Sequence, residues 1–182
     1  MNEPAWKTCR ILANKTRLRI LRWLLVKSEL CEFEIALFLD LTRPSASRHI
    51  RLLSESGFIK TIPRSKWIVC SLRDPKPKEP LHDVQKVLIK NLTSGEKQID
   101  KIYRSATAFT HERRCCIIRL LQNKSMSLEE LVDTANISAV ALLRHLKKLI
   151  NRGLIAEKNN AYHLISQSDP FTNSLINIVL HS

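Results

Sequence analysis

Hydrophobic positions along the chain follow two different periods. Leu18, Leu21, Leu24 and Leu25 recur at the spacing of one helix face, and Trp6, Cys9, Leu12 and Ala13 place a shorter helix before them. The apolar run from Leu30 to Leu39 predicts a third helix, ended by Asp40-Leu41. A fourth should follow, with Thr42 as its N-cap and Pro44 in a first turn whose N–H has no helical partner. Ala46, Ile50 and Leu53 form its inward seam. Gly57 suits the residue just past its end, where a positive φ is common and glycine adopts it without steric cost. The period then falls to two. Phe58 to Pro63 and Trp67 to Leu72 alternate and carry β-branched residues, predicting a hairpin turned at Pro63-Arg64-Ser65-Lys66.

The same succession recurs further on. Helices are expected near 112–122, 128–134 and 139–152, then strands at 154–158 and 162–165 around an Asn159-Asn160 turn. A shift of 96 positions lays Arg48-His49-Ile50 on Arg144-His145-Leu146 and Leu53 on Leu149. It lays Gly57-Phe58-Ile59 on Gly153-Leu154-Ile155, and Thr16 to Leu25 on Glu112 to Leu121, so that Cys115-Cys116 stand opposite Arg19 and Ile20. Asp74-Pro75 meets Asp169-Pro170 after the loss of one residue. Two unrelated amphipathic stretches would not share the glycine, so the chain reads as a duplication. Asp74-Pro75-Lys76-Pro77-Lys78-Glu79-Pro80 breaks helix and strand alike, and further helices are expected at 81–92, 99–108 and 171–181. Three helices with a two-stranded wing, twice over, make a mostly α chain with small β-hairpin wings. The expected architecture is two tandem winged helix-turn-helix domains, residues 1–93 (with 81–92 as a linker helix) and 94–182.

Charge and composition narrow the function. The 182 residues carry 30 Lys+Arg against 17 Asp+Glu, a net charge of +13, while 44% hydrophobic content suffices for packed cores. A folded chain with that excess points to a polyanion, with nucleic acid first. Aromatics at 5% argue against RNA-stacking platforms. Three glycines, Gly57, Gly95 and Gly153, cannot assemble a phosphate cradle or a dinucleotide fingerprint. Neither a Ser-His-Asp order nor an HExxH motif appears, so no enzyme is expected, and no cofactor. Five cysteines without regular spacing suit reduced thiols. No apolar run is long enough to span a membrane, and Met1-Asn2-Glu3-Pro4 lacks the apolar core of a signal peptide, so a soluble, cytoplasmic protein is expected.

A helix that enters a DNA groove needs polar, preferably cationic, side chains opposite its core seam. With Ala46, Ile50 and Leu53 inward, the outward set is Arg43, Ser45, Ser47, Arg48 and Arg51. Arg43 or Arg48 could take guanine through two hydrogen bonds, while Arg64 and Lys66 at the wing tip would meet the backbone or minor groove. His49 suits packing or a phosphate bond better than pH sensing. The second copy has Ala139, Val140, Ala141 and Leu143 where the first has Arg43, Pro44, Ser45 and Ser47. Residues 1–92 hold 18 basic and 9 acidic groups, and residues 93–182 hold 12 and 8, so net charge falls from +9 to +4. The first repeat is therefore expected to read sequence. The second is expected to serve dimerisation, sensing or weak backbone contact, with Arg144, Lys147, Lys148 and Arg152 available to phosphates.

Leu12-Ala13-Asn14-Lys15-Thr16-Arg17-Leu18-Arg19-Ile20-Leu21, Glu29-Leu30-Cys31-Glu32 and Ser45 to Leu53, up to Gly57-Phe58-Ile59, together resemble ArsR-type transcriptional repressors over residues 8–73. Phe109 to Arg113 and Leu142 to Leu146 resemble them more faintly. The resemblance implies a winged-helix regulator of transcription, commonly homodimeric through its first and last helices. Metalloid sensors of that family carry two cysteines one residue apart where this chain reads Cys31-Glu32-Phe33. Cys9 and Cys31 are weak metal candidates that would need a third ligand, and His82-Asp83 and His181 lack the spaced pairs of zinc-sensing members. The expected function is a double-stranded-DNA-binding repressor, acting as a homodimer or an intramolecular pseudo-dimer. The alternatives are a metal- or thiol-responsive sensor that releases DNA, or a winged-helix protein-interaction module.

Overall fold

In the computed structural model, which describes residues 4–74, 76–77, 79 and 81–181, α1 (Ala5–Leu12) opens the chain. Pro75, Lys78 and Pro80 of the expected break, and Met1 to Glu3 of the expected leaderless start, lie outside the described residues. The chain folds as two compact units: residues 11–103, and residues up to Arg10 together with 104–182. This division differs from the boundary at 93/94 drawn from the sequence. On α1, Ala5, Thr8 and Cys9 are buried, with Cys9 beside Cys115, so the start of the chain completes the core of the second repeat.

In the unit of residues 11–103, α2 (Lys15–Lys27) starts at Asn14, whose side chain accepts the Arg17 N–H at 3.0 Å, and buries Leu18, Ile20, Leu21 and Leu24. β1 (Glu29–Cys31) precedes α3 (Glu32–Phe38), so the helix expected over Leu30 to Leu39 begins late. The reason is that Leu30 buries better as a strand residue opposite Cys70 than as a helix start. Cys31 is instead the N-cap of α3, and its N–H donates to the Glu34 carboxylate at 2.7 Å. Asp40, in the left-handed region at φ 50°, turns the chain into α4 (Arg43–Glu55). Thr42 Oγ1 accepts the Ser45 N–H at 3.4 Å, and Ala46, Ile50 and Leu53 are buried. Gly57 follows with φ 74°, where a Cβ would lie 2.8 Å from the Arg73 guanidinium. β2 (Ile59–Arg64) and β3 (Trp67–Leu72) form the wing around Ser65-Lys66, a tighter turn than the four residues expected. The antiparallel sheet runs β1-β3-β2. α5 (His82–Thr93) packs on α2, and its buried Gln85 donates to the Gly57 carbonyl at 2.7 Å. α6 (Lys97–Ala108) follows, its residues up to Tyr103 belonging to this unit and those from Arg104 to the other.

The second unit repeats this order with α7 (Glu112–Leu120), β4 (Met126–Ser127), α8 (Leu128–Ala135), α9 (Ala139–Ile150), β5 (Ile155–Lys158) and β6 (Ala161–Leu164). α10 (Pro170–Leu180) packs on α7 as α5 packs on α2. The sheet order β4-β6-β5 matches the first. Ser127 caps α8 as Cys31 caps α3, with its N–H on Glu130 at 2.7 Å. Asn136 (φ 51°) takes the place of Asp40 between the two helices. Asn159 and Asn160, at φ 53° and 60°, build the two-residue turn that matches strand twist.

The structure corrects the repeat register at α2 and α7. Buried Leu18, Ile20, Leu21 and Leu24 correspond to buried Cys115, Ile117, Ile118 and Leu121, a shift of 97 rather than 96. Cys115 therefore replaces Leu18, a core position, and Cys116 replaces Arg19. The same shift pairs two half-buried arginines with one job. Arg17 Nε donates to the Ile11 carbonyl and Arg114 Nε to the Ala108 carbonyl, in each case six residues back, tying the helix to the segment before it. Arg114 also donates to the Thr107 carbonyl and Thr110 Oγ1. Truncating Arg114 to alanine leaves those acceptors without their charged donor. The expected cost is about 2 kcal/mol, read as a lower urea midpoint; an unchanged midpoint would contradict the role.

Candidate nucleic-acid interface

The seam of α4 decides what its other side shows. Because Ala46, Ile50 and Leu53 are locked into the core, Arg43, Ser47, Arg48 and Arg51 are exposed, and Ser45 is half-buried beside its cap. Arg43 lies with its guanidinium carbon 5.2 Å from the centroid of the Phe33 ring, which α3 supplies. Cation–π contact of this kind holds the side chain without neutralising its charge. Arg51 faces Glu55 one turn on at 3.9 Å, an exposed pair worth roughly 0.3–0.5 kcal/mol. Arg48 has no carboxylate partner among the described residues; its neighbours in charge are Arg17 and His49. Positive charge thus accumulates at this corner.

The wing differs in part from the sequence expectation. Lys66 sits in the turn, 5.4 Å from the Trp67 ring. Arg64, expected to project from the tip, instead places both terminal nitrogens on the Glu29 carboxylate, at 2.8 and 3.3 Å. Both partners are exposed, so the pair contributes roughly 0.2–1 kcal/mol and can be exchanged for another anion. Trp67 in turn tilts against Phe33, with centroids 6.0 Å apart. The α3 ring therefore touches both the first cation of α4 and the wing. Sequence reasoning missed Phe33 because it counted the residue as one more member of an apolar run; its neighbourhood to Arg43 and Trp67 depends on the crossing of α3 over α4 and the sheet.

His49 is half-buried, with Nδ1 enclosed and without a hydrogen-bond partner among the described residues. Burial lowers its basicity first, and Arg17 and Arg48 lower it further. The matching corner of the second unit is built differently. His111 caps α7, accepting the Arg113 N–H at Nδ1 (3.2 Å), and its ring lies 4.6 Å from that of His145 on α9. Neither His111 nor the pairing was singled out from the sequence, since 34 residues separate the two rings.

On α9, Val140 and Leu143 are 74% and 46% exposed, at the positions where α4 presents Pro44 and Ser47. Arg144 and Lys147 are exposed and Lys148 is half-buried. The helix keeps its own seam of Ala141, Leu142, Leu146 and Leu149. Ala139, Val140 and Leu143 at its leading end can press on methyl groups but cannot hydrogen-bond base edges.

The weak metal candidates lie in different units. Cys9 is fully buried among the residues that join 104–182, and burial, then Cys115, pushes its thiol well above the ordinary range. Cys31 belongs to residues 11–103 and starts α3. Burial pushes Cys70 up to about 12 and Cys115 up to about 11, so both are protonated, apolar core groups at neutral pH. Among the described residues no cluster of three or more His, Cys, Asp or Glu side chains could hold a metal ion. No helix among them is long and apolar enough to cross a membrane.

Comparison with known proteins bears on both halves. Residues 12–62 match a helix-turn-helix domain family, and residues 111–157 match the bacterial regulatory protein, arsR family. The chain is also similar to the arsenical resistance operon repressor of Escherichia coli (strain K12), 41% identical over 59 residues, which are 32% of this chain and 50% of the relative. It thus spans about half the length of that relative. No solved structure matches. The two matched segments fall one in each compact unit, over α2 to α4 and α7 to α9 and into the first wing strand of each. With its duplicated order of helices and three-stranded sheets, the chain carries two winged helix-turn-helix domains in tandem, the second of which matches the arsR family.

Proposed function

We propose that the chain is a double-stranded-DNA-binding transcriptional regulator, a repressor that occludes its promoter, and not an enzyme. The observation that carries this reading is the exposed face of α4, where Arg43, Arg48 and Arg51 stand on a helix whose underside is fixed by Ala46, Ile50 and Leu53. α4 enters the major groove, with Arg43 and Arg48 on base edges and Ser45, Ser47 and Arg51 on phosphates or nearby bases. Lys66 and Arg64 of the wing follow the backbone, Arg64 exchanging Glu29 for a phosphate. A second copy of the chain supplies a second α4, and an inverted repeat spaced by about one DNA turn would accept both. The relative's role, repression of an operon, agrees with this assignment.

The exposed Val140 and Leu143 favour a different task for α9: an apolar contact surface, either between copies of the chain or to a partner protein. Two substitution pairs separate the tasks. Selection of genomic fragments with purified protein, followed by affinity measurement across salt, gives the operator and the number of phosphates engaged. Arg43→Ala/Arg48→Ala is expected to remove selectivity for the enriched duplex, at least about fivefold by the usual value of one lost bidentate base contact, about 1–3 kcal/mol. Val140→Ala/Leu143→Ala should leave that selectivity intact. Equal losses from both pairs would contradict the division of labour, and salt-independent binding would contradict the DNA assignment.

A thiol- or metal-responsive release of DNA makes the opposite forecast for one residue. Since Cys31 sits where Ser127 caps the equivalent helix, Cys31→Ser is expected to keep both stability and DNA affinity. Loss of a metal- or oxidant-dependent affinity change in that variant would instead establish Cys31 as a sensing ligand.

A further inference from the structure

The corner formed by the start of α7 and the middle of α9 carries more positive charge than its own fold uses. His111 and His145 face one another at 4.6 Å between ring centroids. Around them stand Arg113 and Arg114 from α7, Arg144 from α9 and Arg10 from α1, with Glu112 as the one carboxylate beside them among the described residues. Arg114 is committed to the Ala108 and Thr107 carbonyls, whereas Arg113 and Arg144 are exposed, as is His111. With Nδ1 accepting the Arg113 N–H, the His111 ring offers its Nε2 edge as a donor. The equivalent corner of the first unit has Asn14 at the cap, His49 on the helix, and Arg17 and Arg48 beside them. So while the leading end of α9 has Ala139, Val140 and Leu143 where α4 has Arg43, Pro44 and Ser47, this corner keeps the Arg-His pair and gains a second imidazole.

We infer that His111 and His145, with Arg113 and Arg144, form a phosphate-binding site by which the second domain holds the DNA backbone without reading bases. This rests on the DNA-binding reading above. A phosphate diester fits because it accepts hydrogen bonds from the imidazole and guanidinium edges and supplies the negative charge the corner lacks. In the free protein burial, then the neighbouring imidazole and arginines, hold His145 down at about 4, and His111 is lowered as well, so both are neutral at pH 7. A phosphate alongside favours the protonated form. The complex therefore binds more protons than the free protein, taken from solvent, and affinity must rise as pH falls from above the pKa in the complex toward that of the free protein.

The test uses the full chain and the duplex enriched by selection, with affinity measured at pH 7.5 and pH 5.5 at one salt concentration. If one imidazole moves from about 4 to its ordinary value near 6.5, affinity should rise about tenfold across that interval. His111→Asn/His145→Gln should lose most of the gain, because neither replacement titrates and Asn retains a cap acceptor. An unchanged thermal midpoint of the variant shows that the fold is kept. Persistence of the full pH effect in the variant would overturn the site. Failure of the wild-type chain to bind DNA at either pH would overturn the parent reading instead. Titration of the His111 and His145 imidazole resonances with inorganic phosphate alone is expected to show no saturable shift. A saturable one would make this a small-anion site and overturn the assignment to DNA.

Discussion

Everything distinctive about the first domain follows from the way α4 is held. Three small or branched aliphatic residues, Ala46, Ile50 and Leu53, are buried beneath it, and Thr42 fixes its start. Burial of two such large side chains contributes about 1.5–3 kcal/mol each, far more than any surface ion pair on the same helix. The rotation of the helix about its axis is therefore settled by its underside. Its cations are presented as a consequence, in a fixed frame, and their mutual repulsion is tolerated because the seam outweighs it.

The same constraint explains why the two domains can share a fold and differ in chemistry. α9 has an equivalent seam, so its outward positions were free to change from Arg43, Pro44 and Ser47 to Ala139, Val140 and Leu143 without loss of packing. Packing is stored on one side of the helix and exposed side-chain chemistry on the other. Caps and turns are shared between the copies by mechanism rather than by residue: Cys31 and Ser127 open corresponding helices, Asp40 and Asn136 make corresponding left-handed turns, and Asn14 and His111 cap corresponding helices.

Much of this was legible from the residues. The seam of α4, Thr42 as its cap, the positive φ at Gly57 and the wing strands follow from local periods and backbone chemistry, and all appear in the structure. The third strand of each sheet was not legible, because two or three residues beside a helix carry no periodicity of their own; Leu30 is strand because Cys70 lies opposite. The one-residue shift between α2 and α7 was hidden for a similar reason. Arg17 and Arg114 look like surface cations until their carbonyl partners six residues back are seen. Around the interface, the outward set on α4 came from the helical period alone. The Glu29 hold on Arg64, the Phe33 ring under Arg43 and the meeting of His111 with His145 required tertiary geometry.

The central claim is that guanidinium groups at the start of α4 bind guanine edges in the major groove. Replacing guanine by 7-deazaguanine at single positions of the selected duplex removes one acceptor and leaves Watson–Crick pairing intact, so it probes that contact atom by atom. For the wild-type chain, one or two positions per half-site are expected to weaken binding by about tenfold. In Arg43→Ala/Arg48→Ala the same positions should cost nothing further. An equal penalty in that variant, or none in the wild type, would contradict the account.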